Sequence, residues 1–313
     1  MHVYNSWHDL KEKYSNMVIG LGNFDGVHLG HRKLIGDLVD RAREVGGTAA
    51  VFTFKPHPMA VLNPEAAPPM ILLPTIKQKM IRSLGVEVLI LVPFTLEFAR
   101  ISPEDFVHDV LFRHLGVNTV FVGYNYTFGY MGRGTTDLLQ SMGQNLGFKV
   151  EVISPVTVKD RPVSSTLIRN LIADGDVQEA RKYLGYCPVV EGEVVYGERR
   201  GNQLGFPTAN LETSSNILVP ANGVYSVKVQ VDGDIFLGVA NIGVKPTFHG
   251  NSYARTIEVH LLDFSGNLYG RHMQVYFIRR LREEKRFPSV DKLLEQIRSD
   301  IHQARNDAFA SVR

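Results

Sequence analysis

One stretch constrains this chain more than any other: Met17 to His31, reading Met-Val-Ile-Gly-Leu-Gly-Asn-Phe-Asp-Gly-Val-His-Leu-Gly-His. Val18 to Leu21 is a short apolar run suited to a buried strand. Gly22, Asn23, Phe24, Asp25 and Gly26 carry turn chemistry. A helix is predicted next, because Leu34, Ile35, Leu38, Val39 and Ala42 recur at helical spacing. His28 and His31 fall three apart at its start, so both imidazoles can face one way. Free N–H groups and the positive end of the helix dipole favour phosphate there. Gly30, between the histidines, lets a nucleotide approach the backbone. The stretch predicts a nucleotide-handling site in which His28 and His31 bond the oxygens of an α-phosphate under attack. A histidine pair at this spacing also describes a plain, partly exposed helix face; the strand, turn and helix around it are what favour phosphate. Zinc fits poorly, since two histidines are only half of a tetrahedral set and the one cysteine, Cys187, is remote in sequence.

The chain is 313 residues long, enough for two cores. Its 44% apolar and 21% charged content is ordinary for a soluble globular protein. A net charge of +2 gives no general case for nucleic acid or for a membrane surface. A lone cysteine excludes an internal disulfide framework and fits a reducing cytoplasm. The N-terminus lacks the basic-then-apolar build of a signal peptide, and no run approaches the ~20 apolar residues that span a bilayer. A cytoplasmic location is expected.

Through the first half, short apolar runs alternate with helical patterns. Strands are predicted over 48–54, 86–92, 119–122 and 150–153, and helices over 75–84, 103–115 and 136–146. That alternation indicates an α/β, doubly wound parallel sheet of Rossmann-like type, whose ligands bind beyond the carboxyl ends of the strands. The glycine turn after Leu21, Pro56-His57-Pro58 after Phe54, and Gly123-Tyr124-Asn125 would then converge on one crevice. From about residue 185 the pattern changes to β segments at 189–195, 224–231, 235–240, 256–262 and 272–278, punctuated by Gly, Asn and Asp. These suggest a small antiparallel barrel. A terminal helix is predicted over about 289–308, with Val290, Leu293, Leu294, Ile297 and Ile301 on one face. Domains of 1–185 and 186–313 are expected.

Two further constellations carry chemistry. Ser164, Ser165 and Thr166 offer hydroxyls at a helix start, and Arg169 follows one turn on, suited to charge on a leaving pyrophosphate. The plainer alternative is an N-cap that only satisfies the first turn. In the second half, Gly197 to Asn210 is a Gly-rich basic loop running into Pro-Thr-Ala-Asn. Gly201 and Gly205 would let it lie against phosphates, while Thr208 and Asn210 supply oxygen ligands for Mg²⁺. It is not a P-loop, because no G-x-x-x-x-G-K-[ST] occurs. Glu258, between Ile257 and Val259 on a predicted strand, could accept a hydroxyl proton from the barrel's inner or end face, although most strand glutamates simply face solvent.

These segments together resemble the prokaryotic bifunctional riboflavin kinase/FMN adenylyltransferase (FAD synthetase) family. The likeness runs through Gly22 to His31, Phe54 to Pro58, Phe94 to Phe106, Gly123 to Gly129 and Ser164 to Arg169, then through Arg200 to Asn210, Gly223 to Tyr225, Asn241 to Gly243, Pro246 to Phe248, Glu258 and Leu268 to Gly270. The resemblance implies a C-terminal riboflavin kinase barrel making FMN from riboflavin and ATP. It implies an N-terminal nucleotidyltransferase domain that transfers AMP from ATP to FMN, giving FAD and pyrophosphate. It further implies that His28 and His31 stabilise the α-phosphate and that Gly22, Asn23, Phe24, Asp25, Gly30, Ser164, Ser165, Thr166 and Arg169 hold the nucleotide. Asn125 would face the flavin, Thr208 and Asn210 would hold Mg²⁺ with ATP, and Glu258 would take the proton from the ribityl 5′-hydroxyl. The expected partners are these small molecules, with no nucleic acid or membrane, and the expected state is a monomer or weak homo-oligomer.

Two departures fall outside the catalytic positions: Met131 to Thr136 replaces a segment where an acidic residue commonly follows the last glycine, and Lys55 stands where many relatives have a small or acidic residue. Rival readings fare worse. A class I aminoacyl-tRNA synthetase would carry a K-M-S-K-S-like loop, which is absent. Pantetheine-phosphate and nicotinate-nucleotide adenylyltransferases lack the Pro-Thr-Ala-Asn barrel. A flavin-binding protein without turnover would have little use for intact His28, His31, Asn210 and Glu258.

Overall fold

The computed structural model describes residues 1–197, 205–246 and 253–310. Its backbone packs as two units, Met1–Pro68 with Pro74–Ser164, and Pro69–Leu73 with Ser165–Arg313.

In the first unit, strands β1 (His2–Tyr4), β2 (Met17–Leu21), β3 (Ala49–Lys55), β4 (Val88–Pro93), β5 (Val117–Gly123) and β6 (Lys149–Ile153) form one sheet in the order β1-β4-β3-β2-β5-β6. Every pairing is parallel. All five residues of β2 are buried, as a central strand covered on both faces requires. Helix α1 (Leu29–Glu44) follows β2 and buries the five apolar residues whose spacing predicted it. Gly20 allows the close packing of α1 on β2, since a Cβ there would lie 2.7 Å from Leu38 Cδ2 and 2.9 Å from Leu34 Cδ2. The remaining helices are α2 (Pro58–Leu62), α3 (Pro74–Ser83), α4 (Pro103–Asp105) and α5 (Thr136–Leu146), with a short hairpin of β7 (Thr157–Val158) and β8 (Arg161–Pro162) near the end. The predicted helix over 103–115 is helical but changes pitch: α4 runs into a π-helix, Phe106–His114, which Leu115 N–H closes on Val110 O at 3.1 Å. Apolar spacing alone does not distinguish the two pitches.

The second unit holds α6 (Ser165–Ala173) and α7 (Val177–Leu184), then β9 (Val189–Val195), β10 (Ala209–Thr213), β11 (Gly223–Val231), β12 (Asp234–Pro246), β13 (Tyr253–Leu261), β14 (His272–Arg282) and the terminal helix α8 (Val290–Ala310). The strands close an antiparallel barrel in the order β10-β13-β12-β11-β14-β9. Its interior is filled by alternating side chains such as Val227, Val229, Ile257, Val259 and Phe277. Val177 joins that core, which is why residues 165–184 pack with the barrel. Of three local expectations, two need correction and one, the face of Glu258, is decided between its alternatives. Ala209 and Asn210 begin a strand rather than a turn, because β9 and β13 supply pairing partners on either side. Glu258 lies off the barrel interior, since its neighbours Ile257 and Val259 are the ones that point inward. Val290 is 56% exposed, because α8 starts there before reaching the barrel.

Candidate active sites

Strands β3, β2 and β5 are adjacent and parallel, so the three loops singled out in the sequence leave the same edge of the sheet. The turn after β2 is strained: Phe24, Gly26 and Val27 take φ of +49°, +83° and +35°. For a β-branched valine such a backbone is unfavourable and persists only where the surroundings enforce it. Phe24 and Val27 are buried, and Val27 N–H donates to Phe24 O at 3.3 Å. His28 then caps α1, its Nδ1 accepting the His31 N–H at 3.3 Å. That bond uses one free donor of the first helical turn and fixes the His28 ring.

The two imidazoles stack on one another, with centroids 3.6 Å apart and planes at 14°. Phe24 meets His31 edge-on at 5.2 Å. His28 is 6% exposed and His31 half-buried. His31 Nδ1 is buried with no hydrogen-bond partner. Burial, followed by the charges of His28 and Lys77, holds the His31 imidazole well below the usual histidine range, so it is neutral at physiological pH. Gly30 has a function the sequence alone did not show: a Cβ there would lie 3.3 Å from His28 Cε1 and Nδ1, against the ring of the stacked pair.

Neighbouring groups complete the turn. Asn23 O accepts from both Thr53 Oγ1 and Lys77 Nζ at 3.1 Å. Asn23 Nδ2 and His57 Nε2 are 3.5 Å apart, which brings the ends of β2 and β3 together. Asp25 is buried at 7% exposure, whereas Asn125 lies exposed just past β5. Gly22 borders the Phe24 ring, 3.3 Å from its would-be Cβ. His57 lies in a segment the sequence placed at this crevice, whereas Lys77 is the residue sequence reasoning missed. Lys77 sits on a helix 54 residues from Asn23, and only the fold brings the two together.

Ser164 ends the first unit, and Ser165, Thr166 and Arg169 belong to the opening turns of α6 in the second. Arg169 Nε donates to Pro69 O at 2.9 Å.

The barrel carries a cavity of about 400 Å³ against α8, lined by Thr208, Glu258, Arg282 and the apolar Phe206, Leu293 and Ile297, among others. Register explains why Glu258 and its neighbours gather there. Residue 258 pairs with Asn210 on one side and Asn241 on the other. The Asn210 side chain lies over Gly197, where a Cβ would come within 2.1 Å of Nδ2. His260 Nδ1–H donates to Pro207 O at 2.8 Å and steadies the loop that carries Thr208. Gly205 is left-handed at φ +81° with open space beside it. Gly201, with the rest of 198–204, lies outside the described residues. Among the described residues no cluster of three or more His, Cys, Asp or Glu could hold a metal.

A parallel nucleotide-binding sheet with paired imidazoles at a helix mouth, followed by a six-stranded barrel with a carboxylate at a cavity, defines a two-unit nucleotide-handling enzyme. The family described as FAD synthetase matches residues 10–167 and that described as riboflavin kinase matches 184–308. The bifunctional riboflavin kinase/FMN adenylyltransferase of Bacillus subtilis is 38% identical over 308 residues, covering 97% of this chain and 96% of its own length. The protein of the same description from Pseudomonas fluorescens is 39% identical over 305 residues, with 97% of each chain covered. A crystal structure from Streptococcus pneumoniae, described as a macrolide-efflux protein, matches with a TM-score of 0.88 at 32% identity, over 97% of this chain and 98% of that one. The chain belongs to the bifunctional riboflavin kinase/FMN adenylyltransferase family. Among the described residues no helix is long and apolar enough to cross a membrane.

Proposed function

We propose that this chain phosphorylates riboflavin with ATP to FMN and then transfers AMP from a second ATP to FMN, releasing pyrophosphate and FAD. The observation that carries this is the stacked His28–His31 pair on a strained turn at the mouth of α1, with one ring nitrogen left without a partner. Adenylyl transfer needs little covalent chemistry from a protein beyond aligning the FMN phosphate with the α-phosphorus and stabilising the charge that develops. A neutral His31 imidazole, held rigidly against His28 at the mouth of α1, provides a donor already in place. Asp25, Gly22, Asn23 and Phe24 shape the turn, Asn125 serves the flavin, and Ser164, Ser165, Thr166 and Arg169 serve the triphosphate.

In the barrel, Glu258 is the base that takes the proton from the ribityl 5′-hydroxyl as its oxygen attacks the γ-phosphorus of ATP. The cavity under α8 is in the range of about 300–1,000 Å³ typical of small-molecule sites, and its apolar lining suits the flat flavin ring. Thr208 and Asn210 offer oxygen donors, which fit Mg²⁺ bound mainly through substrate phosphates. Bound there, Mg²⁺ would neutralise phosphate charge. Gly201 and Gly205 belong to the loop proposed to cover those phosphates. Functional domains of 1–185 and 186–313 are proposed, although the helices over 165–184 pack with the barrel. A cytoplasmic monomer or weak homo-oligomer is proposed as the working form.

The test is a product time course with riboflavin, ATP and Mg²⁺, the flavins resolved by chromatography. FMN should appear first and FAD after it. A chain that binds flavin but consumes no ATP would remove the proposal.

A further inference from the structure

Lys77 projects from α3 into the turn that carries the histidine pair, and its ammonium donates one hydrogen bond, to Asn23 O at 3.1 Å. That carbonyl already accepts from Thr53 Oγ1, so the turn is held in place without the lysine as its sole support. Asp25 acts on Lys77 electrostatically, and the bond to Asn23 O is the one hydrogen bond the ammonium makes among the described residues, which leaves two of its three N–H groups to be met. A half-buried ammonium with two unmet donors is costly unless something anionic arrives to meet them. Burial pushes its basicity down, and its charge contributes to keeping His31 neutral. Ammonium and imidazole therefore share one local field, and His31 Nδ1 is unpartnered as well.

We propose that Lys77 is a phosphate-binding cation of adenylyl transfer, gripping substrate phosphate oxygens with the two N–H groups the turn leaves free. The chemistry recognised is a phosphate oxygen, supplied either by the monophosphate of FMN or by the triphosphate of ATP. The assignment rests on the adenylyltransferase reading of the first unit. A structural strut would need only the bond to Asn23, which a neutral side chain can make. A phosphate ligand needs the charge.

Three variants decide it: Lys77→Met, Lys77→Gln and Lys77→Arg. Each is assayed for FAD formation from supplied FMN and ATP, with FMN formation from riboflavin by the same sample as the control for folding. Lys77→Met and Lys77→Gln should lose about 10- to 100-fold in kcat/KM for FAD formation, with FMN formation unchanged, and Lys77→Arg should regain at least about tenfold of that loss. A raised KM for FMN assigns the monophosphate, a raised KM for ATP assigns the triphosphate, and a fall in kcat alone assigns the α-phosphate of the adenylyl group in transfer. Parental FAD formation by Lys77→Gln, or an arginine variant no better than Lys77→Met, overturns the proposal. If Lys77→Met loses FMN formation too, Lys77→Gln carries the comparison, since it can keep a donor for Asn23. A parent chain that makes FMN but no FAD would instead remove the adenylyltransferase reading itself.

Discussion

Arg282 of β14 and Asp300 of α8 are joined by two prongs, Nε to Oδ2 at 3.0 Å and Nη2 to Oδ2 at 2.9 Å, with Asp300 only 2% exposed. Gln296 Nε2 donates to the other carboxylate oxygen at 2.9 Å, so the carboxylate is well satisfied. Because both residues line the cavity, the pair fixes α8 over the space proposed for flavin. Asp300→Ala would leave a guanidinium largely buried and uncompensated, which costs about 3–5 kcal/mol. Urea unfolding followed in the barrel should show that loss, and the KM for riboflavin should rise. FAD formation from supplied FMN should be unaffected. An unchanged midpoint would mean that the ion pair does not hold the helix.

His28→Ala removes the cap of α1 and one ring of the stack. FAD formation should fall by about 10²–10³ in kcat, the usual cost of one charge-stabilising donor. FMN formation should stay near parental, because the barrel carries its own site. Chromatography of both products from one incubation checks this, and loss of both would contradict the assignment of the two activities to separate halves.

Residues 17–44 were legible from sequence because every signal there is local: an apolar run, a glycine turn and a stripe at helical spacing. Helix α5 was bounded correctly for the same reason, with Thr135 capping its start and left-handed Gly147 its end. Strand β12 extends well past Ala240, where the sequence reading stopped, because pairing with β13 extends it and no local pattern encodes that partner. Pro-Thr-Ala-Asn has turn composition, yet two flanking strands recruit Asn210 into the sheet. The bond from Lys77 to Asn23 and the pair of Arg282 with Asp300 join segments distant in sequence, so periodicity could not show them. Family resemblance supplied the role of Glu258. Register sets it between Asn210 and Asn241.

Glu258→Gln keeps the shape of that site and removes the proposed base. Riboflavin phosphorylation should drop by about 10²-fold or more, the range for a positioned general base. Supplied FMN should still be converted to FAD at the parental rate. A variant that phosphorylates riboflavin normally would show that the proton leaves by another route.

Gly30→Ala probes the stack rather than the chemistry. The added methyl would sit 3.3 Å from two atoms of the His28 ring, tighter than ordinary contact, so the ring must tilt. Alanine favours helix by about 1 kcal/mol over glycine, so the fold should not suffer. FAD formation should fall about tenfold while thermal stability holds or rises. Unchanged FAD formation would show that the ring orientation is not critical.

His31 also links protonation to stability. Its folded pKa lies well below the ordinary value, chiefly through burial, so on acidification the unfolded chain takes up a proton that the folded chain refuses. The stabilisation is complete above about pH 6.5, the ordinary histidine pKa, and is lost as pH falls from there toward the depressed folded value. Acid should therefore weaken the first unit over that window. His31→Gln cannot titrate, so its stability should decline less steeply across the same range. Denaturant midpoints of parent and variant, taken at steps from neutral to mildly acidic pH, measure the difference. Parallel curves would mean that His31 protonates as freely in the folded chain as in the unfolded one, which its stacked position between His28 and Phe24 argues against.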